Sequence, residues 1–254
     1  MLTIFGDYVY QYDIASLIYM FVLMWLFLKF KNFPLETNRY FIYLLISAIV
    51  ANIFDLASCL VLNNSDVVPL PLNYIVQILY YIPNFFCIMF YSLMSLSITK
   101  PSQKNLHFKR RLIFTFMAID SALIITSPFT KLLFYIENGE LKHGPVMNVR
   151  YVVALVLLII ILVDAIKHQR LMTLAQKRIS YGYTLATVVG VMLSFFFPKL
   201  LSISFTISIA MLLGYLSLQS PSDTLDEYTD TGNRSGFLQA MNAYFTQHNS
   251  FTLI

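Results

Sequence analysis

Seven long apolar stretches dominate this sequence and limit what it can fold into. A helix that crosses a membrane needs about 20 mainly apolar residues, and each stretch approaches or exceeds that length. They are Ile14–Phe30, Tyr40–Leu62, Leu72–Thr99, Leu112–Pro128, Tyr151–Ile166, Ile179–Phe197 and Leu200–Leu218. Since 58% of the 254 residues are hydrophobic and only 12% are charged, the composition does not suit a soluble domain. The sequence therefore predicts an all-α membrane protein, a bundle of seven transmembrane helices, with a kink at Pro83 in the third.

Basic residues are shared unevenly between the two sets of loops that join these helices. One set carries 12 and the other carries four. The larger set is Lys29, Lys31, Arg39, Lys100, Lys104, Lys109, Arg110, Arg111, Lys167, Arg170, Lys177 and Arg178, and the smaller set is Lys131, Lys142, Arg150 and Lys199. Cytoplasmic loops carry the excess of Lys and Arg, so we expect a multi-pass protein of the cell membrane with its N-terminus outside and its C-terminus in the cytoplasm. Asp7 and Asp13, with no basic residue around them, suit a translocated N-terminus.

The loop between the fourth and fifth stretches has the pattern of a β-hairpin. Lys131–Ile136 and Leu141–Pro145 flank the dipeptide Asn138-Gly139. Both residues tolerate the positive φ of a type I′ turn, which makes Asn-Gly the strongest short hairpin signal. The sequence predicts a short external β-hairpin, and an irregular polar loop is the alternative.

Three carboxylates lie within the apolar stretches, where each costs about 2.5–3.5 kcal/mol on insertion scales. Asp55 lies in the outer half of the second stretch and Asp120 near the middle of the fourth. A ligand-binding or switching role is predicted for both. The alternative is a protonated or hydrogen-bonded carboxyl that joins two helices. Asp164 lies one turn from Lys167 and His168, which favours an ion pair at the membrane interface.

The third stretch carries a polar face along its outer half. Its members are spaced three to four residues apart, as one helix face requires: they are Asn73, Gln77, Tyr80, Tyr81 and Asn84. With Asp55 opposite, these side chains predict an outward-facing polar pocket. Polar contacts that hold helices together are an equally good explanation.

Small residues recur at every fourth position of the sixth stretch, at Gly182, Ala186 and Gly190. Such a stripe allows two helix backbones to approach closely. Packing inside the bundle is favoured over dimerisation through this face.

Signatures of catalysis are missing from the chain. It has no phosphate-binding glycine loop, no Gly-x-Ser-x-Gly and no His-Glu-x-x-His. The four histidines show no ligand-like spacing, and Cys59 and Cys87 lie in apolar runs, where free cysteine acts as a small hydrophobe. No catalytic, metal or cofactor site is therefore predicted in the chain. The lipid bilayer is the expected partner, and nucleic acid is not.

The composition changes abruptly after Leu218. Gln219–Asp223 is a polar break, Ser235–Gln247 has helical apolar spacing, and Phe251–Ile254 resembles the start of a buried strand. A tail of about 35 residues cannot bury a core by itself. We therefore expect two domains, residues 1–220 in the membrane and residues 221–254 as a linker with the first helix and strand of a cytoplasmic α/β domain, from a fragment or a truncated gene.

The opening of this tail resembles that of a GGDEF (diguanylate cyclase) domain. That opening usually reads Asp-x-Leu-Thr-Gly-Leu-x-Asn-Arg-x-x-Phe. The residues that match are Asp226, Thr229, Asn233, Arg234 and Phe237, whereas Tyr228, Asp230 and Thr231 replace the usual Leu, Gly and Leu.

The seven-helix part resembles the N-terminal sensor regions of bacterial receptor-type diguanylate cyclases and histidine kinases. The resemblance lies in Tyr12-Asp13-Ile14, in Asn38–Phe41, and in Phe134–Gly139 with His143-Gly144-Pro145. It implies an inner-membrane input domain and a cytoplasmic output domain, which makes cyclic di-GMP from two GTP molecules with Mg²⁺ or Mn²⁺. It also implies a homodimer formed through the seventh helix and the output domain. Residues 1–254 hold none of the family's metal, guanine or signature-loop residues, so this chain alone is expected to be inactive.

The sequence is compatible with three functions. The first is a membrane sensor of an unknown stimulus that regulates a diguanylate cyclase-like domain, which the short connection from Leu218 to Asp226 favours. The second is a small-molecule transporter or a simple membrane anchor, disfavoured because the two halves of the chain show no internal repeat. The third is an intramembrane enzyme that uses Asp55 and Asp120, which lack a supporting motif.

Overall fold

The computed structural model describes residues 11–29, 36–99, 103–169, 172, 174–196, 203–218 and 237. Over these residues the chain forms seven helices and one two-stranded antiparallel sheet. The helices are α1 (Gln11–Lys29), α2 (Glu36–Leu62), α3 (Leu70–Thr99), α4 (Gln103–Thr130), α5 (Met147–Lys167), α6 (Leu174–Phe196) and α7 (Ile203–Leu218). The strands β1 (Phe134–Glu137) and β2 (Glu140–His143) lie between α4 and α5. The helical architecture with one short hairpin is confirmed.

The helices form a ring that closes between the first and the last. Helix α1 packs against α2 and α7, α6 packs against α5 and α7, and α2 also contacts α7. Helix α3 contacts α2, α4 and α5, and its Tyr91 hydroxyl also donates to the carbonyl oxygen of Ser180 in α6. Every residue from Tyr91 to Thr99 is buried, as expected for a helix that is surrounded by others.

The outer faces of the bundle are apolar. On α5 the exposed side chains include Val152, Val156, Ile159, Ile160 and Val163. Over the described residues, α2 to α5 are long and apolar enough to cross a membrane, and Phe205–Leu216 of α7 is apolar but shorter. A bundle that exposes this much apolar surface is consistent with a location in the membrane.

Every helix except α7 begins before its apolar stretch, and α4 does so by the widest margin. Helix α4 starts at Gln103 and not at Leu112, and α5 starts at Met147 and not at Tyr151. The stretches were delimited by apolar residues, but Lys, Arg and Asn also form helix where the chain leaves the apolar zone. Helix α3 continues through Pro83 without interruption.

The small-residue stripe of α6 lies against α7. A Cβ atom added at Gly190 would lie 2.9 Å from the Cβ of Thr206, whereas one added at Gly182 would lie 3.9 Å from Leu213 Cδ1. The first distance is too short for any side chain, and the second is an ordinary contact. Packing of this stripe inside the bundle is therefore confirmed.

The predicted tail domain lies almost wholly outside the described residues. Of the tail, the structure describes only Phe237, which is helical and exposed. The helix of Ser235–Gln247 and the strand of Phe251–Ile254 stay predictions.

The α6–α7 contact gives a test by substitution. Gly190→Leu should lower the free energy of unfolding by about 1–3 kcal/mol, because the new side chain must displace Thr206 and with it the backbone of α7. Gly182→Leu is the matched control and should cost clearly less, because a Cβ atom there makes only an ordinary contact with Leu213. Thermal unfolding of the purified protein in detergent compares them, and equal losses would contradict the close approach at Gly190.

Candidate functional site

The hairpin between α4 and α5 turns at the predicted dipeptide. Asn138 has φ 54° and Gly139 has φ 80°, as a type I′ turn requires. Phe134 pairs with His143, and Glu137 with Glu140, in the antiparallel register. The Glu137 carboxylate accepts a hydrogen bond of 2.5 Å from Lys142 Nζ, and this bond lowers the pKa of Glu137 and raises that of Lys142. The hairpin prediction is confirmed.

A single serine of α4 fixes the start of the hairpin on the bundle. Ser127 Oγ accepts hydrogen bonds from the backbone N–H groups of Leu133 and Phe134, at 3.2 and 2.9 Å. It also donates to the carbonyl oxygen of Phe134 at 2.8 Å. The buried Phe134 ring packs near Tyr81, with ring centroids 5.0 Å apart. The hairpin thus lies over the end of the bundle where α4 ends and α5 begins, here called the hairpin end.

The hairpin tip rests on the loop between α2 and α3. A Cβ atom added at Gly139 would lie 2.3 Å from Ser65 Oγ, and the backbone N–H of Ile136 donates to Tyr74 Oη at 3.2 Å. The loops at this end therefore support one another.

Gly139→Ala should lower stability by about 1–2 kcal/mol through its positive φ, and further through the clash with Ser65. Asn138→Gly keeps the turn type and should change the unfolding temperature little. Thermal unfolding with limited proteolysis of the hairpin compares the two variants. A Gly139→Ala protein that is as stable and as resistant as its parent would contradict this turn geometry.

The predicted polar residues are inside the bundle and not on an open surface. Their exposed fractions are 0% for Asp55, 1% for Asn73, 0% for Gln77, 4% for Tyr80, 8% for Asn84 and 7% for Asp120. Gln77 Nε2 donates to Ser58 Oγ at 2.8 Å and lies 3.4 Å from Asn73 Oδ1. The polar face of α3 is thus joined to α2 by buried hydrogen bonds, and the ligand or switch role of these residues stays a prediction.

Asp55 has two neighbours, Asp13 and Cys59, that were not grouped with it from the sequence. Asp13, predicted as part of an exterior terminus, is 0% exposed, and so is Cys59. The Cys59 thiol lies 3.9 Å from Asp13 Oδ2, and one ligand-type atom from each of Asp13, Asp55 and Cys59 lies within 4.8 Å of the others. We call these three residues the Asp–Cys cluster. A signal was present in the sequence, because Cys59 lies four residues after Asp55 and hence on the same helix face.

Asp120 has a charged partner on the next helix. Arg150 Nε lies 3.0 Å from Asp120 Oδ1, and both side chains are about nine-tenths buried. The guanidinium also donates from Nη2 to the carbonyl oxygen of Tyr81 at 2.9 Å. It lies over the rings of Tyr81 and Phe85, 5.2 and 5.3 Å from their centroids. Arg150 was counted as a loop residue, but it lies in the first turn of α5 and joins that helix to α3 and α4.

Side chains supply hydrogen bonds around Pro83. Proline has no N–H, so the helix ladder loses a bond in this turn. Asn84 Nδ2 donates to the carbonyl oxygen of Tyr80 at 2.9 Å, and Arg150 donates to that of Tyr81. Proline at this position frees the carbonyl of Leu79, so both side-chain bonds lie on the turn beside the missing bond, and Asn84 has a structural role there.

An ion pair also lies at the opposite end of the bundle, with a partner that was not predicted. The Asp164 carboxylate pairs with Lys109 of α4, whereas His168 Nδ1 lies 2.8 Å from the backbone oxygen of Asp164. A cavity of about 30 Å³ beside this pair is lined by residues that include Ser92 and Leu157. Ligand pockets are typically about 300–1,000 Å³, so this cavity has room for water only.

The Asp120–Arg150 pair gives a double-mutant test. Arg150→Met should cost about 3–5 kcal/mol of stability, because it leaves a buried carboxylate without its partner. Asp120→Leu combined with Arg150→Met should cost much less than the sum of the two single changes. Lys142→Met, which breaks the exposed pair with Glu137, is the control and should change stability little. Additive losses in chemical unfolding would show that the two side chains do not interact.

Comparisons with known proteins give no assignment for this site. No family model matches the chain, and no curated protein matches it. The tail residues Asp226, Thr229, Asn233 and Arg234 lie outside the described residues. A functional assignment therefore depends on the residues and contacts described above.

Proposed function

We propose that this chain is a membrane-embedded sensor domain that regulates a cytoplasmic, diguanylate cyclase-like output domain. In this proposal all seven helices cross the membrane, with the N-terminus outside. The support for the orientation is the distribution of 12 basic residues on one side against four on the other. The support for the output class is the set of five matching residues from Asp226 to Phe237.

The observation that carries the proposal is the position of α7. It is the last helix before the tail, and it packs against α1, α2 and α6. A Cβ atom added at Gly214 of α7 would lie 3.5 Å from the ring of Phe41 in α2. The Asp–Cys cluster joins α1 to α2, so a change in that cluster moves helices that α7 touches directly. Packed elements pass on such shifts as displacements of whole helices.

The output chemistry belongs to the family that the tail resembles. Such a domain joins two GTP molecules into cyclic di-GMP with Mg²⁺ or Mn²⁺, at the interface of two copies. The part of the chain described here would supply the input, through a stimulus that acts on the hairpin end, and α7 would contribute to the dimer.

Orientation is the first point to test. A cytoplasmic reporter fused after Ser220 should be active, and a reporter that works only outside the cell should be active when fused after Asp66, in the loop between α2 and α3. The opposite pattern would overturn the orientation and with it the assignment of the tail to the cytoplasm.

Signal transfer through α7 is the second point to test. Insertions after Leu218 are made in a version of the protein that carries a complete output domain, and the cyclic di-GMP level of the producing cells is measured. One added residue turns the downstream part of a helix by about 100° and advances it about 1.5 Å. One inserted alanine should therefore change the cyclic di-GMP level strongly, and seven, close to two whole turns, should restore it better than five. Abundance of each variant in the membrane is the control. A level that stays flat at every length would favour a transporter or an anchor.

A further inference from the structure

The Asp–Cys cluster brings together three side chains of a kind that binds metal ions. Asp13 comes from α1, and Asp55 and Cys59 come from one face of α2. All three are fully buried, and one carboxylate oxygen or sulfur atom of each lies within 4.8 Å of the other two. Two carboxylates this close in a buried site are both ionised only when a cation lies between them, and otherwise one of them holds a proton.

Two oxygen atoms at this place have no hydrogen-bond partner among the described residues. One is Asp13 Oδ1 and the other is Asn52 Oδ1, and both side chains are 0% exposed. Asn52 lies one turn before Asp55 on the same face of α2. Its Nδ2 donates to the carbonyl oxygen of Ala48 on the preceding turn, at 2.8 Å, and its amide oxygen accepts no bond from the described part of the chain. A buried oxygen without a partner needs a physical explanation, and a bound ion or water is one that suits an oxygen beside two other ligand-type side chains.

We propose that the Asp–Cys cluster binds a divalent metal ion of the zinc type. The ligands are the Cys59 thiolate and one carboxylate oxygen each from Asp13 and Asp55, with Asn52 Oδ1 or a water as the fourth. Thiolate ligands select zinc over magnesium and calcium. Zinc binds sulfur at about 2.3 Å and carboxylate oxygen at about 2.0–2.2 Å, so the ligand atoms draw together by about 1 Å on binding. Binding displaces the thiol proton and any carboxyl proton to solvent.

The position of the Asp–Cys cluster in the bundle suits the binding of a metal ion. Asp13 lies in the first turn of α1, and Cys59 lies three residues before the end of α2. The site therefore lies within about two turns of the hairpin end, on the outer part of α1 and α2 and not at the apolar centre of the bundle. A bound metal clamps α1 to α2. This inference does not depend on the proposed sensor function.

The two cysteines of the chain make the test specific. Cys87 is also buried and unbonded to another cysteine, but it lies on α3, outside the cluster. Purified Cys87→Ser protein has Cys59 as its single thiol. We expect it to bind one Zn²⁺ per chain in equilibrium dialysis, as the parent protein does, and to show a thiolate-to-metal charge-transfer band when loaded with Co²⁺.

Cys59→Ser and Asp13→Asn should each weaken zinc binding at least tenfold, and Cys59→Ser should abolish the cobalt band. Zinc should also raise the unfolding temperature of the parent and of Cys87→Ser, but not that of Cys59→Ser. Absence of saturable zinc binding, or of the band in Cys87→Ser protein, would overturn the proposal and leave the cluster as a proton-sharing pair. Because that result is read on a variant with an intact cluster, it holds even if Cys59→Ser protein does not fold.

Discussion

The buried guanidinium of Arg150 is the constraint on which the hairpin end depends. It forms an ion pair with Asp120, donates to the backbone of α3 and lies over two aromatic rings. Buried ion pairs add little net stability, because desolvation offsets the attraction, but breaking one is costly. Such a group favours a particular arrangement, since its bonds are all made only when α3, α4 and α5 meet in one way. The hairpin, which lies between α4 and α5 and packs on Tyr81, takes its place from that arrangement.

Much of the fold could be predicted from local patterns. Backbone groups in a membrane must be satisfied within a segment, so a long apolar stretch has almost no choice but to be a helix. The hairpin was equally clear, because Asn138-Gly139 suits a turn with two positive φ angles. Helix ends were less clear, since α4 extends as helix through the basic residues that precede Leu112. Apolar composition indicates which residues lie in the membrane. A helix begins where its backbone hydrogen bonds begin, and that point can lie outside the membrane.

The candidate site could be predicted only one residue at a time. Asp55, Gln77 and Asp120 were visible because polar side chains in apolar stretches are costly and need partners. Their partners were not visible, because the pairing of one helix with another depends on register and rotation, which no local pattern encodes. Arg150 and Asp13 were therefore assigned to the exterior. Both lie within a turn of a helix end, where a charged side chain either reaches water or bends back into the bundle, and only a buried partner decides between the two.

The two polar centres of the hairpin end are connected through consecutive turns of one helix. On α3, Gln77 bonds to Ser58 beside the Asp–Cys cluster, and Tyr81 lies one turn further along and accepts from Arg150. Pro83 follows directly, where the backbone ladder lacks a bond, and Asn84 donates to the carbonyl oxygen of Tyr80 on the same turn. Sharp bends in helices occur mostly at proline, because the ladder is incomplete there. Along α3, the polar contact with α2 beside the Asp–Cys cluster is therefore followed by a turn with an incomplete ladder, and that turn is held by the buried Asp120–Arg150 pair.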